Sequence, residues 1–170
     1  YVGALQPRKN LVRLIEAFEK MKPENPESRL VLAGEVAWLA QDILARREKS
    51  LYKEDIILTG KISFTELRVL YQGARVFTFP SLYEGFGIPL LEAFASGVPV
   101  LTGNNSSLPE VAGDGALYCD VLSVDDIAEK MTLLWQNEAT RIELVTKGKQ
   151  RLTNFSWQQC AEQTLSYINE

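Results

Sequence analysis

Two carboxylates lie at a fixed spacing in a segment that is otherwise glycine, proline and apolar. Glu84 and Glu92 are separated by seven residues within SLYEGFGIPLLEAFASGVPV, residues 81–100. A buried carboxylate without a polar partner is costly, so both must face solvent or meet polar groups. Pro89 suits the first turn of a helix, and we expect Glu92 in that turn and Glu84 in the preceding loop. We interpret the pair as facing one concave site, where it could accept hydrogen bonds from a polyhydroxylated ligand.

Each acid also has an ordinary interpretation when it is taken alone. Glu92 could be a favourable negative charge at the positive end of a helix, and Glu84 could be a solvated loop acid. The GFG segment between them adds a second feature, because glycines leave backbone N–H groups free of side-chain hindrance. A helix N-terminus with such amides attracts phosphate or hydroxyl oxygens. Gly85, Phe86 and Gly87 are therefore candidate ligand contacts beside the two carboxylates.

Two basic residues, Arg8 and Lys9, follow the first apolar run of the chain in PRKN. If that run is a strand of a parallel sheet, both cations lie at the edge where ligands bind. A guanidinium and an ammonium suit diphosphate oxygens at such a place. The alternative is a pair of surface charges, although positive charge near a helix start is mildly unfavourable. We interpret Arg8 and Lys9 as an anion-binding pair.

Short apolar segments alternate with helical patterns and must position these groups. Each segment is almost continuously apolar, which is typical of strands covered by helices on both faces. The segments are YVGAL (1–5), RLVLAG (29–34), DIILTG (55–60), RVFTFP (75–80), PVLTG (99–103) and ALYCD (116–120). The pattern predicts an α/β fold with a doubly wound, Rossmann-like parallel sheet, and residues 1–170 are expected to form one domain. The candidate ligand-binding residues then follow the carboxyl ends of strands.

Several helix starts are also predicted. Asn10 could cap the first helix, and the S-x-x-E/Q pattern of a capping box occurs at Ser63, Ser107 and Ser156. The end of the chain is expected to be a helical tail over residues 123–137, 138–152 and 157–169. We expect Trp157 to pack against the core where the last helix docks.

Composition argues against several classes of function. The sequence contains no histidine, which removes imidazole as a base or ligand and with it Ser-His-Asp and Cys-His catalysts. No cluster of thiolates or carboxylates suggests a metal site. The sequence contains no G-x-x-x-x-G-K-S/T motif, and no G-x-G-x-x-G follows the first apolar run, which argues against P-loop NTPases and ordinary dinucleotide-binding domains. A formal net charge of −4 does not favour nucleic acid as a partner. No apolar run approaches the ~20 residues of a transmembrane helix.

The cysteines and the first residues bear on location. Cys119 and Cys160 show no CxxC spacing, and we expect both to be reduced, buried thiols of a cytoplasmic protein. The sequence opens in YVGAL without an initiator methionine or a basic signal-peptide region, so we expect a fragment of a longer protein.

The stretch PSLYEGFGIPLLEAFASGVPVLTGNNSSLPEVAGDGALY resembles the signature region of retaining glycosyltransferases of the GT-B type, in the group 1 (family 4) class. Glu84 and Glu92 match the E-x7-E motif of that class. The resemblance extends to VGALQPRKNLVRLIEAF, GKISFTELRVLYQGARVFTFPS and FSWQQCAEQTL, and so covers nearly the whole chain. Such enzymes have two Rossmann-like domains with the active site in the cleft between them. This sequence resembles the C-terminal, donor-binding one.

The resemblance implies a role for each candidate residue. Glu92 would hold the ribose hydroxyls of a nucleotide sugar, and Glu84 would contact the donor sugar or help to stabilise the reacting centre. The amides of residues 85–87 would meet sugar hydroxyls and phosphate, and Lys9 would neutralise the diphosphate leaving group. The segment Gly60–Lys61–Ile62 would bracket the base through main-chain contacts.

One position departs from the family pattern. Many members carry an arginine directly after the glycine of the first strand, and Ala4 stands there in this sequence. Arg8 could supply the second positive charge beside Lys9. If it does not, stabilisation of the diphosphate is weaker than in the family at large.

The activity implied by the resemblance is transfer of a sugar from a nucleoside diphosphate sugar to an acceptor, with no metal and no other cofactor. The acceptor, whether a sugar, a lipid or another molecule, would bind the N-terminal domain, so this half alone is expected to be inactive. Peripheral membrane contact of the full-length protein stays open. The alternatives are a non-catalytic nucleotide-sugar-binding module and a domain like that of a sugar-nucleotide epimerase.

Overall fold

Five short parallel strands form the centre of the computed structural model, which describes residues 1–168. The strands are β1 (Leu30–Ala33), β2 (Ile56–Gly60), β3 (Phe77–Phe79), β4 (Val100–Gly103) and β5 (Ala116–Cys119). Strands β1 and β2 pair in one parallel sheet, and β3, β4 and β5 pair in that order in a second. All five lie within the apolar segments predicted from the sequence.

Eight α-helices are assigned within the described residues. They are α1 (Leu11–Met21), α2 (Gln41–Glu48), α3 (Phe64–Gly73), α4 (Ile88–Ala95), α5 (Leu108–Ala112), α6 (Val124–Gln136), α7 (Glu138–Leu152) and α8 (Trp157–Ile168). Strands and helices alternate up to α6, and helices alone follow. The predicted parallel α/β fold with a helical tail is therefore confirmed.

The first apolar segment, residues 1–5, is extended but does not form a regular strand. Backbone hydrogen bonds still hold it parallel to β1, from the Gly3 amide to the Ala33 carbonyl (2.8 Å) and from the Leu5 amide to the Glu35 carbonyl (2.8 Å). The two backbones approach so closely at Gly34 (φ +148°) that a Cβ there would lie 2.0 Å from the Gly3 carbonyl oxygen. The prediction of a strand was therefore too regular, because glycine geometry interrupts the pairing.

A column of aromatic rings crosses the core from the first segment to α3. Tyr1 stacks on Phe79 at a centroid distance of 5.9 Å, and Phe79 stacks on Phe77 at 5.7 Å. Tyr71, near the end of α3, meets Phe77 edge to face at 5.3 Å. All four residues are buried, so the column ties the first segment, β3 and α3 into one packed unit.

Local sequence signals account for some helix starts and not for others. Ser63 forms the predicted capping box with Glu66 at the start of α3. Asn10 precedes α1, but its side chain does not cap the helix. At the other end of the chain Trp157 is 84% exposed, so the prediction that it packs against the core is wrong. None of the described residues of α8 is buried.

Helix α4, which carries Glu92, is held from behind by α7. A Cβ added to Gly148 of α7 would lie 2.5 Å from the ring of Phe94, a buried residue of α4. The same glycine lies against Gly115, where an added Cβ would be 2.9 Å from the Gly148 Cα. The position of α4 therefore depends on a glycine that allows two helices to touch.

We expect Gly148→Ala to lower the free energy of unfolding by about 1–3 kcal/mol, because overpacking against Phe94 outweighs the better helix propensity of alanine. Gly73→Ala is the matched control, since Gly73 ends α3, is exposed, and has nothing within 4 Å of its Cβ position. That variant should be neutral or more stable by up to about 1 kcal/mol. Urea unfolding followed by circular dichroism measures both, and equal effects would contradict the close contact.

Candidate functional site

Three charged residues meet where two loops come together. Lys9 ends a short 3₁₀ turn (Pro7–Lys9) after the first segment, and Glu84 lies in the loop after β3. The Lys9 Nζ donates to Glu84 Oε1 at 2.5 Å, and an Arg8 guanidinium nitrogen donates to Glu84 Oε2 at 2.9 Å. The structure thus brings the neighbouring residues Arg8 and Lys9 to Glu84, which lies 75 residues beyond Lys9 in the sequence.

This ion pair is mostly removed from water. The side chains of Lys9 and Glu84 are 10% and 9% exposed, while Arg8 is 42% exposed. The Lys9 ammonium also lies 5.0 Å from the centre of the Phe79 ring, one of the two inner rings of the aromatic column. Arg8 donates in addition to the Tyr83 carbonyl at 2.5 Å, which orients its guanidinium group along the loop.

The ionisation of Glu84 follows from its partners. Burial alone would raise the pKa of this carboxyl, but the hydrogen bonds and charge of its neighbours, Lys9 first among them, outweigh burial and hold the pKa below its ordinary value. Glu84 is therefore a carboxylate at neutral pH. In that form it only accepts hydrogen bonds, and it has no proton to give to a leaving group.

Asn10 holds the two loops in place from below. Its backbone is left-handed (φ +60°), and its buried side-chain amide donates to the Pro80 carbonyl (3.1 Å) and the Val121 carbonyl (2.7 Å). The sequence suggested a helix cap at this residue. Asn10 instead links the turn that carries Lys9 to Pro80, at the start of the loop with Glu84, and to Val121, after β5.

The loop after β4 supports the Glu84 loop from the other side. The Glu84 amide donates to the Ser106 hydroxyl at 3.2 Å, and the Ser107 hydroxyl donates to the Glu84 carbonyl (2.8 Å) and the Phe86 carbonyl (3.1 Å). Asn105 donates to the Leu82 carbonyl at 2.7 Å. Ser107 therefore makes no side-chain cap for α5, contrary to the capping box predicted there. Its hydroxyl instead fixes the backbone around Glu84.

The GFG segment presents unused amides at the start of α4. Gly87 has φ +103° and precedes the helix, and Pro89 lies in its first turn as predicted. Within residues 1–168, the backbone amides of Gly85, Phe86 and Gly87 donate no hydrogen bond. A Cβ on Gly85 would meet nothing within 4 Å, so the backbone there is open to an approaching molecule. These amides remain candidates for binding an anion or hydroxyl group.

Glu92 lies further along its helix than the sequence suggested. It is the fifth residue of α4 and so lies beyond the first turn, where it was expected. Its Oε2 accepts a hydrogen bond from the Tyr71 hydroxyl at 2.9 Å. Sequence reasoning missed Tyr71. The signal for it was a tyrosine on the inner face of α3, since a buried tyrosine hydroxyl usually finds a polar partner.

The remaining predicted contacts lie at the end of β2. Gly60 is left-handed (φ +65°), and Lys61 is an exposed residue whose ammonium lies 3.5 Å from Glu35. Ile62 is half-buried beside it. In the part of the chain that the structure describes, no ion pair links Lys61 to Glu84. Residues 60–62 therefore lie at the carboxyl end of β2, apart from the charged cluster.

Other features bear on the site by their location. A cavity of about 520 Å³ is lined in part by Arg29, Leu30, Val76 and Phe77. These residues mark the amino ends of β1 and β3, opposite the ends that carry Lys9 and Glu84. The cavity is therefore separate from the charged cluster and its loops, which form the candidate site.

The two cysteines lie in different surroundings. Burial raises the pKa of the Cys119 thiol to about 12, whereas Cys160 is exposed, so the expectation that both are buried was wrong for Cys160. Neither forms a disulfide. Among residues 1–168 there is no group of three or more Cys, Asp or Glu side chains placed to hold a metal ion. In the same range, no helix is both long and apolar enough to cross a membrane.

The sequence matches a known family over most of its length. The family model for glycosyl transferases group 1 matches residues 1–151. The chain is 35% identical over 167 residues to O-antigen chain mannosyltransferase B of Escherichia coli, which is 98% of this chain and 44% of that protein. It is 31% identical over 170 residues to a glycogen synthase of Mycobacterium tuberculosis, which is 96% of this chain and 40% of that protein. The chain thus spans less than half of the length of these curated relatives.

A solved structure shows the same fold. The C-terminal domain of a glycosyl transferase group 1 family protein from Francisella tularensis superposes with a TM-score of 0.79 at 24% identity. The match covers 89% of this chain and 82% of that one. At this identity the likeness concerns the fold.

The stability losses from removing Lys9 and from removing Glu84 should add up to more than the loss from removing both together. Glu84→Gln leaves the Lys9 ammonium buried without its counter-charge, and Lys9→Met leaves the carboxylate with Arg8 alone. Breaking a buried pair from one side costs about 3–5 kcal/mol, and we expect the double variant to recover part of that loss. A double-mutant cycle from urea unfolding at neutral pH measures the coupling, and strictly additive losses would contradict it.

The same pair predicts a loss of stability in acid. Because the pKa of Glu84 is lower in the folded chain than its ordinary value of 4.5, its contribution is present above that value and is lost as the pH falls through the folded pKa. The difference in unfolding free energy between the wild type and Glu84→Gln should therefore shrink below about pH 4.5. A difference that stays constant down to about pH 3 would show that Glu84 is not stabilised by its cations.

Proposed function

The chain belongs to the group 1 glycosyl transferases, and from that premise we propose that it is the donor-binding half of a retaining glycosyltransferase. In this proposal the full-length protein transfers a sugar from a nucleoside diphosphate sugar to an acceptor. The acceptor, a sugar, a lipid or another molecule, binds a part of the protein outside this chain.

One observation carries the proposal: a buried lysine and carboxylate lie beside a run of unused backbone amides. Lys9 has three N–H donors, of which Glu84 accepts one, so two remain for phosphate oxygens. Arg8 adds further donors at the exposed side of the same cluster. The amides of residues 85–87 complete a set of donors suited to a diphosphate and to sugar hydroxyls.

The chemistry asks for stabilisation of charge more than for proton transfer. When the bond between the sugar and the diphosphate breaks, negative charge develops on the leaving oxygen, and Lys9 and Arg8 neutralise it. Glu84 keeps both cations oriented and accepts hydrogen bonds from the donor sugar. With its pKa held low, it acts by position and charge and not as a general acid. Retention follows if the leaving diphosphate assists the acceptor on the same face of the sugar.

Arg8 takes the place that Ala4 leaves open. Ala4 offers only its carbonyl, which accepts a hydrogen bond from the Tyr1 hydroxyl at 3.2 Å. Arg8 shares Glu84 with Lys9, so the second positive charge reaches the same carboxylate from a position four residues later in the chain. In this proposal the two cations neutralise the diphosphate without a metal ion.

The residues that follow β2 bind the base of the nucleotide, and Glu92 binds its ribose. The backbone of Gly60, Lys61 and Ile62 contacts the base, which leaves the choice of base to main-chain groups. The printed names of the curated relatives, a mannosyltransferase and a glycogen synthase, support a hexose as the transferred sugar. We propose a cytoplasmic location, which two free cysteines suit.

We expect Lys9→Met to weaken the binding of nucleoside diphosphates by about tenfold or more while the binding of the matching nucleosides changes little, because charge-assisted hydrogen bonds to phosphate are lost. The measurement is calorimetric titration of the chain with UDP, GDP and ADP and with uridine, guanosine and adenosine. Before that, thermal melting identifies the base, since a ligand at a hundredfold its dissociation constant stabilises by about 2.7 kcal/mol.

Lys147→Met is the matched control, because Lys147 forms an exposed ion pair with Glu143 on α7. It should bind all six compounds like the wild type. Equal losses for nucleosides and diphosphates in Lys9→Met would argue against a diphosphate contact. If none of the diphosphates binds this chain or the full-length protein, the proposed function is wrong.

A further inference from the structure

Tyr71 lies directly behind Glu92 and donates to it from the core. The tyrosine is 3% exposed, and its hydroxyl donates to Glu92 Oε2 at 2.9 Å. The two residues belong to neighbouring helices, α3 and α4, so this hydrogen bond joins the helix after β2 to the helix after β3. From the described residues, Glu92 Oε1 accepts no hydrogen bond. One carboxylate oxygen is thus anchored and the other is left for a ligand.

The tyrosine itself has little freedom. Its ring meets Phe77 edge to face, and Phe77 stacks on Phe79, which lies under the Lys9 ammonium. Burial, and then the negative charge of Glu92, raise the pKa of Tyr71, so its hydroxyl keeps its proton at neutral pH. Tyr71 is therefore a permanent donor held at a fixed place.

We propose that Tyr71 is the positioning residue that sets Glu92 for the ribose hydroxyls of the nucleotide. The inference rests on the ribose role of Glu92 in the proposed function. A glutamate has three side-chain torsions, and a free carboxylate would lose that freedom on binding a ligand. The hydrogen bond from Tyr71 holds Oε2 in place beforehand and leaves Oε1 as the oxygen that can accept from the ribose.

The test compares ribose with deoxyribose. UDP, GDP and ADP are each titrated into the chain beside their 2′-deoxy and 2′,3′-dideoxy analogues. The readout is the affinity for the ribonucleotide divided by the affinity for each deoxy analogue. Tyr71→Phe keeps the ring and removes only the hydroxyl. We expect it to weaken ribonucleotide binding by about tenfold and to leave the deoxy analogues nearly unchanged, so that the ratio falls.

Tyr118→Phe is the matched control, because the Tyr118 hydroxyl donates to the Gly113 carbonyl, away from Glu92. It also removes a hydrogen-bonded tyrosine hydroxyl, from a half-buried position, and should leave the ratio at the wild-type value. A merely structural role of Tyr71 would lower the melting temperature and weaken ribose and deoxyribose ligands alike. That outcome would overturn the inference.

Glu92→Ala separates this inference from the function on which it rests. We expect it to abolish the preference for ribose. If the preference is lost in Glu92→Ala but intact in Tyr71→Phe, the ribose role of Glu92 stands and the positioning role of Tyr71 is wrong. If Glu92→Ala keeps the preference while diphosphates still bind, the ribose role is wrong and the inference falls with it.

Discussion

Burial of the Lys9–Glu84 pair is the interaction on which the candidate site depends. Removing two charges from water costs several kcal/mol for each ion, so the pair persists only if its geometry is good and its other polar atoms are satisfied. That requirement explains why so much backbone is fixed around it. Asn10 holds the turn below Lys9, and the hydroxyls of Ser106 and Ser107 hold the loop around Glu84.

The aromatic column gives this site a shared base. One of its inner rings, Phe79, lies under Lys9, and its end ring, Tyr71, donates a hydrogen bond to Glu92. Lys9 and Glu92 therefore both contact one column of rings. Because buried side chains are close-packed, a shift of one ring is transmitted to its neighbours. In the proposed function, the two ends of a nucleotide would then be held at a distance that the core sets.

Part of this arrangement could be predicted from the sequence, and the rest could not, for physical reasons. Continuous apolar runs predicted the strands, because strands covered on both faces need no alternation. The Ser63–Glu66 box was predictable because both partners lie within one turn. Ser107 also looked like a cap, but its backbone is helical (φ −79°, ψ −8°) and not extended as in a typical cap, and its hydroxyl accepts from no amide of α5. It donates instead to two carbonyls of the Glu84 loop. The contact between Tyr71 and Glu92 depends on how two helices pack, which no local pattern records.

The contact between Gly148 and Phe94 has a mechanical consequence for Glu92. Helix α4 rests on α7 with no gap for so much as a methyl group, so it cannot retreat along that direction to relieve a poor fit at its other face. The Glu92 carboxylate is therefore carried by a helix that cannot move toward α7. In the proposed function, a nucleotide that presses on Glu92 does not displace α4 toward α7, so packing on the opposite side of the helix contributes to selectivity.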